Sequence, residues 1–326
     1  MSEQGAVQSE IWSERWRLAA LSREEMAKLA LTSLMVGIAF VMFHLQGNTT
    51  DIRMFGRSAF LWLAHRWNDT SGDFSHGWLI PFVSLGVLWF KRHELTAAPK
   101  QTSRVGLYVV IFALLCHWLG AKAQQTRLSL FSVILLFWGV PFYFYGWQVA
   151  KILIFPCAYL IFCIPLNFVD SLTAPLRIFA TVVSAGILNG LGLQVHRIGS
   201  GIISDHGDGF RFDVAPECSG LRSLIAMTAL TAVYAFITQK SLWRKWALFL
   251  SSIPIAIVGN IVRITLVALV AEAFGKQLAL GLWHDYSGYV IFSVGIGLML
   301  AVGAALSLDS QLVWSRWKQK FLDPTS

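Results

Sequence analysis

The chain has 326 residues, of which 56% are hydrophobic and only 13% are charged. Soluble domains carry about twice that charged share, and disordered chains hold far fewer apolar residues, so both classes are excluded. Four cysteines are too few for a disulfide-rich secreted module. The net charge of +8 comes from bases placed between apolar runs, which indicates a role in membrane topology and no nucleic-acid partner.

The apolar residues form long runs, which indicates an all-α polytopic membrane protein. Most runs reach the roughly 17–25 residues that cross a hydrocarbon core of ~30 Å. About eight transmembrane helices are predicted: Leu29–Leu45, Phe74–Phe90, Val105–Ala121, Leu128–Tyr145, Ile152–Phe168, Leu221–Ile237, Trp246–Ala271 and Gly288–Leu308. No Pro/Gly/Ser-rich linker divides them, so residues 29–308 are expected to form one membrane-embedded domain.

The two ends of the chain are predicted to be cytoplasmic. Residues 1–28 are polar and lack the features of a cleaved signal peptide, so they are expected to form an amphipathic interfacial helix. Residues 309–326 are expected to form a basic tail. In this orientation 15 of the 26 basic residues lie on the cytoplasmic side, the excess that the positive-inside rule requires.

Two segments between the fifth and sixth spans need separate treatment. Leu172–Leu193 is long enough to span but contains Arg177 and Asn189, and the count of basic residues favours a position in the outer interface or a re-entrant segment. A ninth span remains the alternative. The polar stretch 195–220 follows, and its alternation of aromatic and charged residues from Phe210 predicts a small extracytoplasmic β-hairpin.

One of the four cysteines differs from the others in its position. Cys116, Cys157 and Cys163 lie within apolar spans, where a cysteine usually serves only packing. Cys218 lies at the outer start of the sixth span, where helical N–H groups favour a thiolate. Arg222 follows four residues later and adds positive potential on nearly the same helical face. Cys218 is therefore a candidate nucleophile, with a small packing residue as the alternative.

A charged residue interrupts the seventh span. Arg263 follows Asn260 by three residues inside an apolar run, so both side chains lie on one helical face. Insertion of arginine costs roughly 2.5–3.5 kcal/mol at the centre of a membrane helix, which makes Arg263 a candidate site residue. The alternative is a structural arginine that pairs with carbonyl groups or with Glu272.

His284 is expected in a loop just before the eighth span, and therefore on the same outer side as Cys218 and Arg263. A thiolate can attack a carbonyl, a histidine can exchange protons, and an arginine can stabilise an oxyanion or hold a carboxylate. These three residues thus make a transacylation set. His206, Asp205 and Asp208 could bind a metal, but a polar turn explains them better, and no cofactor or metal is expected.

Several motifs together resemble the exosortase/archaeosortase family. They are Asp73–Pro81, Ile164–Leu166, Pro216–Ser223, Asn260–Ile264 and His284–Gly288, in that order along the chain. Each motif is weak alone, and the set is specific. The resemblance extends over most of residues 70–308, and no appended soluble periplasmic domain of the kind that some exosortases carry is recognised.

The resemblance implies an inner-membrane cysteine transpeptidase with its active site on the extracytoplasmic face. Family members are thought to cleave a C-terminal sorting signal that consists of a short motif such as Pro-Glu-Pro (PEP-CTERM), a transmembrane helix and a basic tail. The partners would be exported proteins with that signal, within the lipid bilayer. Carried onto this sequence, the resemblance makes Cys218 the nucleophile, Arg263 the site arginine and His284 the acid and base.

Further residues are expected to support these three. Asp73, Ser75 and His76 lie at the outer mouth of the second span and could line the same cavity, or could form only a polar cap. Arg222, Asn260 and Ser219 are expected around the main residues. A transporter or a non-enzymatic membrane scaffold remains the alternative function, although a transporter would place its charges near the membrane midplane.

Overall fold

The computed structural model describes residues 23–49, 52–69, 74–165, 167–204, 211–213 and 221–308. Its helices are α1 (Arg23–Leu45), α2 (Ile52–Phe55), α3 (Ala59–Asn68), α4 (Leu79–Phe90), α5 (Arg92–Ala97), α6 (Arg104–Lys122), α7 (Thr126–Tyr145), α8 (Trp147–Tyr159), α9 (Asn167–Gly190), α10 (Leu221–Thr238), α11 (Leu242–Phe274), α12 (Lys276–Leu280) and α13 (Leu282–Ser307). Two 3₁₀ turns, Ser75–Trp78 and Leu160–Cys163, precede α4 and follow α8. The strands are β1 (Val195–Ile198), β2 (Gly201–Ser204) and β3 (Arg211–Asp213).

The predicted class, an all-α polytopic membrane protein, is confirmed. Within the described ranges, six helices are long and apolar enough to cross a membrane, namely α1, α6, α7, α10, α11 and α13. They correspond to six of the eight expected spans. The helical segments at Ser75–Phe90, Trp147–Cys163 and Ala174–Gly190 are shorter. The count of eight spans therefore stays a prediction.

Several expected helix boundaries were wrong. The fifth span was expected to run from Ile152 to Phe168, but α8 ends at Tyr159 and a 3₁₀ turn follows it. Pro165 explains why the 3₁₀ turn ends at Cys163 and does not continue to Phe168, because the residue before a proline disfavours helical backbone. The first span begins at Arg23 instead of Leu29, and the rest of the expected interfacial helix lies outside the described residues.

The chain divides into two compact units, Met1–His65 with Pro81–Ile161, and Arg66–Ile80 with Phe162–Ser326. The core of the first unit lies among α1, α6 and α7, where Phe43, Ala113 and Leu136 are buried together. Helices α6 and α7 are joined by a three-residue connection, Ala123–Gln125, and pack side by side as an antiparallel pair.

The second unit contains the long helices around which the candidate site is built. Helix α11 packs against α9, α10 and α13. One core cluster joins Leu188 of α9 and Ile202 of β2 to Ala268 of α11. Another joins Leu248 of α11 to Met299 of α13. Helix α11 is therefore the central element of this unit.

The small sheet follows α9 in the chain. Strands β2 and β3 pair antiparallel, with Ile202 opposite Phe212, so the predicted hairpin is confirmed. A third strand, β1, was not predicted, and it pairs with β2 through the two-residue turn at Gly199 and Ser200. The hydroxyl of Ser204 donates to Oε2 of Glu272 at 3.2 Å, which connects the sheet to the end of α11.

Candidate functional site

The structure describes only part of the predicted site. Cys218, Ser219 and Asp73 lie outside the described residues, as does the alternative metal site around His206. The backbone of His284 is described, but its side chain is not. The positions of Arg222, Asn260, Arg263, Ser75 and His76 are all described, and all of them belong to the second unit.

Three helix segments meet around Arg263. The connection between α10 and α11 is short, so the two helices run antiparallel, and the first turn of α10 lies beside the C-terminal half of α11. Helix α13 begins on the same side, because α11 ends at Phe274 and α13 starts at Leu282. Arg263 therefore lies at the level of the N-terminal turns of α10 and α13.

The start of α13 differs from the sequence-based expectation. The eighth span was expected to begin at Gly288, with His284 in the preceding loop. The helix begins six residues earlier, at Leu282, so the backbone of His284 lies in its first turn. Position 284 is thus one helical turn before Gly288 on α13.

Arg263 is anchored by a hydrogen bond between helices. Its Nε donates to the hydroxyl oxygen of Ser287 on α13 at 3.2 Å, and Ser287 is only 1% exposed. Gly288, the next residue, lies against the guanidinium, because a Cβ atom there would be 3.6 Å from both Cζ and Nη2. The carboxylate of Glu272, the alternative partner expected for Arg263, accepts a hydrogen bond from Ser204 at 3.2 Å.

A small cavity of about 40 Å³ lies beside the arginine. Its polar lining comes from Ser223 on α10 and from Asn260 and Arg263 on α11. Asn260 is buried, with 6% exposure. The predicted shared face of Asn260 and Arg263 is thus seen, because both residues line the same small cavity. Both side chains carry hydrogen-bond donors.

A second polar group forms around the 3₁₀ turn that precedes α4. The imidazole of His76 lies beside the backbone of Phe162 and within the electrostatic reach of Arg222. Phe74 from the same turn is buried against Leu221 and Ile225 at the start of α10. The turn is thereby packed onto the first turn of the helix that Cys218 precedes by three residues in sequence.

The two polar groups are adjacent along α10 but distinct. Ser223 lines the cavity beside Arg263, whereas its neighbour Arg222 acts on His76. His76 does not belong to the described lining of the cavity. The electrostatic effect of Arg222 on His76 was not expected from the sequence, because the turn and α10 are separated by more than 140 residues.

The structure supplies one candidate that sequence reasoning missed. Ser287 was not predicted as a site residue, although it lies three residues after His284. Its role depends on the early start of α13, which turns a presumed loop residue into a helical residue that faces α11. In the sequence, only the helical spacing between His284 and Gly288 could have indicated that Ser287 lies on the same helix.

The other three cysteines form no disulfide within the described residues. Cys116 and Cys163 are buried, and Cys157 is half-buried. The backbone carbonyl of Cys163 accepts a hydrogen bond from Trp67 Nε1 at 2.8 Å. Trp67 also contacts Trp78 edge-to-face, and this aromatic pair supports the 3₁₀ turn that contains His76.

Comparison with known proteins gives one match. The family model described as transmembrane exosortase matches residues 67–301 of this chain. This range includes every residue of the two polar groups described above. No curated protein and no solved structure matches the chain.

Proposed function

We propose, since the chain belongs to the transmembrane exosortase family, that it is an integral-membrane cysteine transpeptidase or protease. Its substrates are exported proteins that end in a short motif, a transmembrane helix and a basic tail. It cleaves this sorting signal and transfers the protein to water or to an envelope acceptor. It works in the cytoplasmic (inner) membrane, with its active site on the extracytoplasmic face.

The observation that carries this proposal is the position of Arg263. An arginine on a membrane-spanning helix is costly, and this one is held between α11 and α13 beside a small cavity. The cavity is also lined by Ser223 in the first turn of α10. Arg263 therefore lies near the end of α10 that Cys218 precedes by three residues in the sequence.

Cys218 is proposed as the nucleophile. It precedes α10 by three residues, and helix N-termini favour a thiolate through unpaired N–H groups and the helix dipole. Arg222 adds a positive charge in the first turn of that helix. His284 accepts the thiol proton, and the sulfur then attacks the scissile carbonyl carbon to form a C–S bond and a tetrahedral oxyanion.

Arg263 and His284 are proposed to have different roles in the remaining steps. A guanidinium carries a permanent positive charge, so Arg263 stabilises the oxyanion and moves no proton. Collapse of the intermediate breaks the C–N bond, and His284 donates a proton to the leaving amine. Water or an acceptor nucleophile then attacks the thioester and releases Cys218.

The proposal is tested with a reporter that ends in Pro-Glu-Pro, a transmembrane helix and a basic tail. The reporter is co-expressed with the enzyme, and processing is followed by its decrease in size on a gel. Cys218→Ala should lower processing by more than about 1000-fold, because no other thiol can take over the attack. Cys163→Ala is the matched control, since Cys163 is a buried cysteine in the same unit that forms no disulfide, and its thiol should be dispensable.

The alternatives give different results in the same experiment. Full processing by Cys218→Ala would exclude Cys218 as the nucleophile. A scaffold would retain the unprocessed reporter with both wild-type and variant protein. A transporter would neither process nor retain it. If the proposed function is right, the wild-type protein should process the reporter. The Cys218→Ala variant should leave the reporter unprocessed and co-purify with it.

A further inference from the structure

Ser287 on α13 accepts a hydrogen bond from Arg263 on α11. Its hydroxyl oxygen lies 3.2 Å from Nε, and its side chain is 1% exposed. The two residues are separated by 24 positions in the chain, so the contact joins two helices and is not a local helical bond. A buried hydroxyl in such a contact has little freedom to rotate away.

The chemistry of arginine makes Nε the atom that sets the direction of the group. The guanidinium is planar, so fixing Nε on one helix restricts the plane and the positions of both terminal nitrogens. Gly288 also lies close to the group, with its potential Cβ position 3.6 Å from Nη2 and 3.9 Å from Nη1. The position of the guanidinium is thus restricted by the hydrogen bond at Nε and by the backbone near its terminal nitrogens.

We infer that Ser287 is a positioning residue for the reaction proposed above. It holds Nε of Arg263, so that the terminal nitrogens keep one orientation towards the developing oxyanion. This inference rests on the proposed function of Arg263. Preorganised donors stabilise a transition state because they need no rearrangement when charge develops, and small misplacements lower the rate strongly.

The test compares three variants of the full-length enzyme, purified in detergent with the same reporter at varied concentrations. Ser287→Ala removes the acceptor and should lower kcat about tenfold, with KM changed less than about twofold, because only the transition-state contact is affected. Ser287→Thr keeps the hydroxyl and should restore most of that loss. Ser293→Ala is the matched control, since Ser293 is exposed on the same helix and bonds only to its own turn, at the carbonyl of Tyr289.

The melting temperature of each variant is measured with its rate. A positioning role predicts that Ser287→Ala and Ser293→Ala melt alike and differ in kcat. The inference is overturned if Ser287→Ala keeps kcat within about twofold of wild type. It is also overturned if the loss of rate comes with an equal loss of folded protein that Ser287→Thr does not restore.

Cys218→Ala is measured in parallel to separate the two proposals. If Cys218→Ala is inactive while Ser287→Ala is fully active, only the role of Ser287 is wrong. If Cys218→Ala is active, the proposed function itself is wrong. The two failures are therefore distinguishable in one series of measurements.

Discussion

Gly288 sets the room that is available to the guanidinium of Arg263. A Cβ atom at this position would lie 3.6 Å from Cζ, which is an ordinary van der Waals distance. Gly288→Ala should therefore keep most of the processing activity. Gly288→Leu extends further carbons into the space of the guanidinium, and we expect at least a tenfold loss of kcat from displacement of Arg263.

Gly297 on the same helix is the matched control for this prediction. It is exposed, and a Cβ atom there would meet nothing within 4 Å. Gly297→Leu should leave the rate of reporter processing close to that of wild type. Equal activity of Gly288→Leu and wild type would show that Arg263 needs no fixed position for the reaction.

A single residue could be predicted from the sequence where its free-energy cost does not depend on its neighbours in the fold. Arg263 could be predicted because a charge in an apolar run is expensive at almost any position in the span. Ser287 could not, because a serine before a span has no distinguishing signal until the start of α13 is known. The electrostatic effect of Arg222 on His76 depends on the long-range packing of Phe74 onto Leu221, which no local sequence pattern encodes.

At the scale of elements, the turn between β1 and β2 requires a left-handed backbone conformation at one residue. Gly199 has φ of +62°, a left-handed conformation that costs other residues about 1–2 kcal/mol. Nothing lies within 4 Å of its potential Cβ position, so the cost of a substitution is purely one of backbone conformation. Gly199→Ala should lower the free energy of unfolding by about 1 kcal/mol, and Gly199→Asn by less, because asparagine tolerates this region.

Gly186 in α9 provides a control, because its substitution by alanine should change the stability in the opposite direction. It is exposed within the helix, and its potential Cβ position is also empty. Gly186→Ala should raise stability by up to about 1 kcal/mol, since alanine is the better helix former. Thermal unfolding of both variants in one detergent measures the difference. A stabilising Gly199→Ala would contradict the described turn.

Some helices and strands could be predicted from the sequence and others could not, for physical reasons. The alternation of aromatic and charged residues around Phe212 identified β3, whereas β1 carries no alternation of that kind and depends on pairing with β2. Long apolar runs identified the six long helices. The boundary near Pro165 was missed because apolar composition continues through the break, although the backbone cannot continue the helix.

At the scale of the whole molecule, the number of spans decides where the loops lie. If only the six long helices cross the membrane, and the N-terminus is cytoplasmic, residue 100 lies outside. If the shorter helical segments Ser75–Phe90 and Trp147–Cys163 also cross, residue 100 lies inside. Both arrangements place residue 210 outside and residues 242 and 320 inside, so the side of the candidate site does not depend on this choice.

Charge favours the arrangement with eight spans. Lys91, Arg92, Lys100 and Arg104 lie within 14 residues of one another, and short loops with such a basic excess remain in the cytoplasm. Reporter fusions should therefore read inside after residue 100, outside after 210, and inside after 242 and 320. An outside reading at 100 alone would support six spans and leave the site intact. A cytoplasmic reading at 210 would separate the proposed site from exported substrates, because the sheet and the segment with Cys218 would then lie on the wrong side.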